Sequence, residues 1–235
     1  TQWHWNVIPP SIDPLTQKNK LMDPEEVDKI LRQFSIPKDQ PLITQVSRLD
    51  KWKDPEGLIE AFRQVRKKIP CTLCLVYNGA SDDPEGDMMH QKVLAAKEGE
   101  FSEDIFMIRG DEQDVVSAFQ AGSDIVVQKS LKEGFALTVS EALWKATPVL
   151  GTRVGGIPLQ VIPDVNGYLA EPYDLNSQAL DDRQEHIREV AGYIQDALGD
   201  LEKLAIMGNA GKEHVRREFL VTRQIKDYLN LFRSL

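Results

Sequence analysis

From Pro41 onward, short apolar runs alternate with segments whose apolar residues recur every three or four positions. Strands that alternate with amphipathic helices in this way build an α/β domain around a parallel sheet. The apolar runs predict five or six strands, at residues 42–47, 72–77, 105–108, 124–128 and 148–152, with a short last one at Gly167-Tyr168-Leu169-Ala170. Asp54-Pro55 opens a helix reaching Lys68, with Leu58, Ile59, Phe62 and Val65 on one face. A polar loop over 78–86 leads into a helix ending near Glu100, and Asp111 or Asp114 caps a further helix that ends at Ala121. Gly155-Gly156 marks a tight turn.

After Glu171 the strand signal fades into a polar stretch, and helical periodicity fills 185–198, 201–219 and 222–235. At the other end Trp3, His4, Trp5, Val7 and Ile8 precede Pro9-Pro10 with no initiating methionine, so the chain is expected to begin within a longer protein. The pattern divides into a first segment or linker over 1–15, an α/β body over 16–180, and C-terminal helices over 181–235 that pack on it or return toward a preceding domain. No internal repeat or low-complexity segment interrupts it.

Composition narrows the function classes. With 235 residues, 41% hydrophobic and 28% charged, the chain can bury one sizeable core or two modest ones. A net charge of −9 argues against nucleic acid as a partner, since phosphate backbones call for surplus Lys and Arg. No apolar run approaches the roughly 20 residues of a membrane span and no signal pattern opens the chain, which makes the cytoplasm the expected location. Cys71 and Cys74 have the CxxC spacing of redox and metal sites, but they fall on a strand-like run, where residues three apart face opposite sides. Buried, chemically idle thiols are the expected outcome. The four histidines, at 4, 90, 186 and 214, show no metal-ligand spacing.

Candidate chemistry concentrates in the run from Lys132 to Lys145, directly after the fourth strand, where Glu133 and Glu141 flank an expected helix start with Gly134 beside it. A strand that turns through a glycine loop into a helix presents free backbone N–H groups and a positive dipole end to an anion such as a diphosphate. If the run is mostly helical, a rise of about 1.5 Å per residue sets the two glutamates roughly 12 Å apart, suited to the two ends of one long ligand. Arg48 and Lys53 follow the first strand, on the same predicted edge, and a guanidinium fork with an ammonium would clamp that diphosphate. Each residue also has a plainer reading: a solvated basic pair, an exposed helical acid at Glu141, an acid favoured at a helix start at Glu133, a turn at Gly134. Phe135, Leu137, Val139, Leu143 and Trp144 read as packing residues apart from their backbone groups, and Lys51 and Lys129 as solvated cations.

Together, Ser47-Arg48-Leu49, Lys53, and Glu133-Gly134-Phe135-Ala136-Leu137 with Glu141, then Ala142, Pro148-Val149 and Gly155-Gly156, resemble the donor-binding half of retaining GT-B glycosyltransferases of family 4. Pro9-Pro10-Ser11-Ile12-Asp13-Pro14-Leu15, Asp82-Asp83-Pro84-Glu85-Gly86 and Glu141-Ala142-Leu143-Trp144-Lys145 are similar to the trehalose synthases among them, which join a nucleotide-diphosphate glucose to glucose. The resemblance spans nearly the whole chain. It implies a Rossmann-like, doubly wound parallel sheet of about six strands with C-terminal helices, one half of a GT-B fold. By the same resemblance, Arg48 and Lys53 bind the donor pyrophosphate with the backbone N–H groups of Gly134, Phe135, Ala136 and Leu137. Glu133 takes the sugar hydroxyls, Glu141 the ribose, and the base lies near Ile108 and Arg109 through backbone contacts. Two positions depart from the common pattern: Asp54, where a glycine often follows the lysine, and Ala136, where a second glycine is common and a methyl narrows the sugar pocket.

The resemblance further implies retention of anomeric configuration, with no metal and no cofactor beyond the nucleotide sugar, UDP-glucose or ADP-glucose. A double displacement needs carboxyl groups about 5–5.5 Å apart, which a helical Glu133–Glu141 pair does not supply. Front-face attack is therefore expected, with Arg48, Lys53 and the helix start stabilising the departing diphosphate. The glucose acceptor would bind an N-terminal domain missing from this chain, which alone would bind nucleotide without catalysing transfer. A trehalose phosphorylase or another glycosyltransferase of the superfamily, and a stand-alone nucleotide-binding or interaction module, are the alternatives. No nucleic acid or membrane partner is expected, and a homodimer is left open.

Overall fold

The computed structural model describes residues 6–78, 84–174 and 180–234. Trp3, His4 and Trp5, Asp82 and Asp83, and the final position of the last predicted helix lie outside the described residues. Six parallel strands form one sheet: β1 (Leu42–Arg48), β2 (Thr72–Asn78), β3 (Ile105–Arg109), β4 (Ile125–Gln128), β5 (Val149–Thr152) and β6 (Gly167–Ala170), in the order β3-β2-β1-β4-β5-β6. The helices among the described residues are α1 (Pro24–Gln33), α2 (Pro55–Arg66), α3 (Pro84–Lys97), α4 (Gln113–Gly122), α5 (Leu137–Trp144), α6 (Ile157–Gln160), α7 (Leu180–Leu198), α8 (Leu201–Glu218) and α9 (Val221–Ser234). This is the α/β, Rossmann-like, doubly wound architecture expected from the sequence.

Apolar residues cover both faces of the sheet because both are roofed by helices, as parallel sheets require. On one face Leu73, Leu75 and Tyr77 of β2 pack with Leu58, Phe62 and Val65 of α2 and Ile187, Val190 and Ile194 of α7. On the other, Cys74 and Val76 meet Val115, Val116 and Phe119 of α4, while Val126, Val139, Leu143 and Val215 join β4, α5 and α8. Cys71 and Cys74 thus belong to opposite core layers, both buried and free, and burial pushes the Cys71 thiol up to about 12. The CxxC spacing carries no redox pair. No helix among the described residues is long and apolar enough to cross a membrane.

Pairing is uneven across the sheet. β1 pairs with β2 along seven residues but with β4 through only Ile43↔Ile125 and Thr44↔Val126, so β1 and β4 share their first residues and not their carboxyl ends.

Local expectations hold with five differences, two of them brief: α3 begins at Pro84, inside the loop expected over 78–86, and the one-turn α6 follows the Gly155-Gly156 turn where no element was expected. Helix α1 stands where the periodicity reading placed no element, although Asp23-Pro24-Glu25-Glu26 followed by Val27, Ile30 and Leu31 carries a helix-start signal. It packs on α4 so closely that a Cβ on Gly122 would lie 2.7 Å from Leu31. The first residue before α4 is Glu112, which makes no side-chain cap. Asp111 is taken by Arg109 and Asp114 by Gln17, so neither expected cap serves. Helix α7 begins at Leu180, five residues before the predicted start at 185.

Candidate functional site

Strand order reverses between β1 and β4, and in open α/β sheets the crevice beyond the carboxyl ends at such a reversal is where ligands bind. The loop after β1 carries Lys53. Its turn is built by Asp50, whose carboxylate accepts from the Trp52 and Lys53 amides at 2.9 and 3.2 Å. Gln45 donates to the Lys53 carbonyl at 2.8 Å, fixing the far side of the residue. The loop after β4 runs alongside, with the Leu131 amide donating to the Trp52 carbonyl at 2.7 Å. Lys53 and Glu133 then meet as an ion pair, each side chain largely sheltered. Glu133 also accepts from its neighbour's amide, Gly134, at 3.0 Å.

Helix α5 starts at Leu137, so residues 133–136 are loop and the helical spacing expected between Glu133 and Glu141 applies only from Leu137 onward. The delay has a local cause. Ala136 sits in the left-handed region at φ +65°, where a helix cannot propagate. The turn at Gly155-Gly156 backs this loop: Gly155 has φ +53°, a Cβ there would lie 2.2 Å from the Glu133 carbonyl oxygen, and the Gly156 amide donates to the Gly134 carbonyl at 2.8 Å. Gln160 donates to the Phe135 carbonyl. The first amides of a helix lack the usual intrahelical acceptors, so the start of α5, next to Glu133 and Gly134, carries the kind of donors an anion needs. Ala136→Gly should stabilise the fold by about 0.5–1 kcal/mol, since relief of left-handed strain exceeds the added chain entropy; chemical denaturation of both proteins measures it.

Glu141, in the second turn of α5, is buried rather than an exposed helical acid. Lys18 reaches its Oε2 at 2.9 Å and Gln120 the same oxygen at 3.2 Å. The segment carrying Lys18 is held against α5 by Trp144, which donates to the Asn19 carbonyl at 2.9 Å. Beside it, burial lowers Lys145 to about 8 against the pull of Glu141.

The structure thus joins Lys53, Glu133, Gly134, Phe135, Ala136 and the start of α5 in one place. Arg48 lies at the end of β1 with its side chain 78% exposed, paired with Asp50 at 3.2 Å. Ile108 is buried in the core and Arg109 is exposed and bonded to Asp111 at 2.9 Å, both on the edge strand β3. Leu137, expected to pack, is 42% exposed because it opens the helix at the crevice rather than facing the core.

Lys129 overturns its expected solvated state. It is 1% exposed and ion-paired to Asp54, over the Tyr173 ring at 5.3 Å. Burial pushes its ammonium down and Asp54 pulls it back up. Tyr173 donates to Asp54 at 3.1 Å, and desolvation by burial raises its phenol. His186 packs on Tyr173 with ring centroids 5.3 Å apart, and burial, aided by the nearby Lys129 charge, lowers it from 6.5 to about 4. Between those values the unfolded chain binds a proton that the folded one refuses. Stability should therefore fall as pH drops from 6.5 toward 4, and His186→Phe should remove that part of the slope in pH-dependent urea denaturation. Among the described residues no group of three His, Cys, Asp or Glu side chains is arranged to hold a metal.

The family pattern described as "Glycosyl transferases group 1" matches residues 26–214. A trehalose synthase of Rubrobacter xylanophilus is 40% identical over 233 residues, covering 97% of this chain and 52% of that protein. The chain thus spans about half the length of that relative. Among solved structures, sucrose-phosphate synthase from Thermosynechococcus elongatus superimposes with a TM-score of 0.79 at 23% identity, over 97% of this chain and 52% of that one. Anabaena HepE in complex with UDP-glucose superimposes with a TM-score of 0.77 at 21% identity, over 98% of this chain and 57% of that one.

Proposed function

Because the chain belongs to the group 1 glycosyl transferases, we propose that it is the donor-binding part of a retaining glucosyltransferase that makes trehalose from a nucleotide-diphosphate glucose and glucose. One observation carries the reading: Lys53 and Glu133, eighty residues apart in sequence, form an ion pair at the strand-order reversal, beside the start of α5. An ammonium, a carboxylate and the amides at a helix start match a ligand with a diphosphate and a hydroxyl-rich sugar.

In this reading the donor's diphosphate takes Lys53 from Glu133, and the amides of Gly134 to Leu137 complete its cradle. Glu133, freed of its counterion, accepts hydroxyls of the glucosyl group. Arg48, exposed and paired with Asp50, swings onto the phosphates. Glu141 takes the ribose, and the base lies along the ends of Ile108 and Arg109. Glu133 and Glu141 hold opposite ends of the donor, so neither serves as the nucleophile of a double displacement. The acceptor hydroxyl enters on the face from which the diphosphate leaves, while Lys53, Arg48 and the helix start stabilise the charge that builds on the leaving group. The acceptor and any base acting on it are assigned to the half of the two-domain fold outside this chain, so the chain alone binds without transferring.

Calorimetry of the chain with UDP, ADP, GDP, their glucose conjugates and inorganic phosphate tests the proposal. One nucleoside diphosphate and its glucose conjugate should bind with a stoichiometry of one. Absence of all nucleotide binding would overturn it, and a response to phosphate alone would move the reading to phosphorolysis of trehalose.

A further inference from the structure

We infer that Lys129, Asp54 and Tyr173 act together as a buried positioning unit for Lys53, a role that rests on the donor-site reading above. Asp54 follows Lys53 directly and holds φ +45°, a left-handed conformation a non-glycine residue adopts only when its surroundings impose it. Three groups impose it here. The Gly57 amide donates to its carboxylate at 3.1 Å, capping α2; the Tyr173 hydroxyl donates at 3.1 Å; and the Lys129 ammonium closes the set as an ion pair. With Gln45 on the Lys53 carbonyl beside Asp54 and Asp50 on the Lys53 amide at its other side, Lys53 is fixed from both directions.

Lys129 is placed to do more than neutralise Asp54. It follows β4 directly and starts the loop that carries Glu133, whereas Asp54 ends the loop that carries Lys53. The buried pair therefore bolts together the two loops whose side chains form the Lys53–Glu133 pair. Tyr173, from the stretch after β6, brings a third loop into the same joint. The surroundings are charge-balanced: Arg183 of α7 clasps Glu60 of α2 at 2.9 Å, and both groups act electrostatically on Lys129. An apolar pair of equal volume would usually fill such a site at lower cost, so the ion pair's value lies in fixing geometry rather than in raw stability.

The test removes both charges at once. Asp54→Gly/Lys129→Met leaves no unpaired buried ion and gives the left-handed position the residue that tolerates it. This double variant should unfold cooperatively yet bind the preferred nucleoside diphosphate about tenfold more weakly than wild type, because Lys53 loses its fixed direction. In a Lys53→Ala background the same two changes should alter affinity by less than about twofold, since residues acting through one another are non-additive. An unchanged affinity in the first comparison, or an equal loss in both backgrounds, overturns the inference. Should the double variant fail to unfold cooperatively, Tyr173→Phe takes its place: a loss of about threefold that vanishes without Lys53 supports the unit, and no loss overturns it. Failure of the wild-type chain to bind any nucleoside diphosphate is a separate result and counts against the donor-site reading instead.

Discussion

Lys53→Ala should weaken binding of the preferred nucleotide-diphosphate glucose by about ten- to a hundredfold, the worth of one sheltered charge-assisted contact of about 1.5–3 kcal/mol. The loss has two sources. The diphosphate loses its ammonium, and Glu133 loses the counterion that shelters with it in the crevice. A carboxylate left alone there repels the incoming phosphates, so the bare diphosphate, with more negative charge than its sugar conjugate and no hydroxyls for Glu133 to accept, should lose at least as much affinity as the conjugate. Titration calorimetry of the two ligands against wild type and variant measures both effects. Equal affinities would show that Lys53 makes no contact with the ligand.

Lys129→Met should destabilise the fold by about 3–5 kcal/mol, because it strands the Asp54 carboxylate in a dry site. The companion change Asp54→Gly should recover most of that loss, since a buried pair replaced by uncharged groups is often neutral or stabilising. Denaturant unfolding of the single and double variants gives both numbers from one series. A single-variant loss below about 1 kcal/mol would place solvent beside Asp54 and contradict its burial. The contrast with Lys53 is instructive: two lysine–carboxylate pairs sit on the same two loops, and the deeper one is expected to govern stability while the shallower governs affinity.

Much of the fold was legible because parallel sheets write themselves as continuous apolar runs. β2 is buried along its length up to Asn78, and its run from Thr72 to Tyr77 stands out without any partner information. The switch between β1 and β4 was not legible, since strand order leaves no mark on either strand. The residues of the candidate site were readable where local rules apply, as at Gly134 and Asp54-Pro55, or where the whole motif resembled a known one. Three features escaped for a shared reason. Lys129 follows a strand inside a polar run, Gln128-Lys129-Ser130, and its burial depends on an acid 75 residues away. The burial of Glu141, against the plainer reading of an exposed helical acid, was hidden because Lys18 and Gln120 reach it from distant segments. The left-handed backbone at Ala136 is disguised by a residue that normally extends helices. In each case tertiary contact overrides what the side chain would do in isolation. The family pattern compensates for some of this: the glycine expected at 54 and at 136 falls where the structure has φ +45° and +65°, which is the physical content of those two departures.

The short pairing between β1 and β4 has a mechanical meaning. With backbone register shared only at Ile43↔Ile125 and Thr44↔Val126, the sheet is two three-stranded leaves joined along a seam. The crevice opens where the seam comes undone, and the loops of Lys53 and Glu133 stand on its two lips. A molecule that grips both lips adds to the Lys129–Asp54 pair and the Leu131–Trp52 backbone bond that already cross between the leaves. Filling the site and stiffening the sheet are then a single equilibrium, viewed from its two ends.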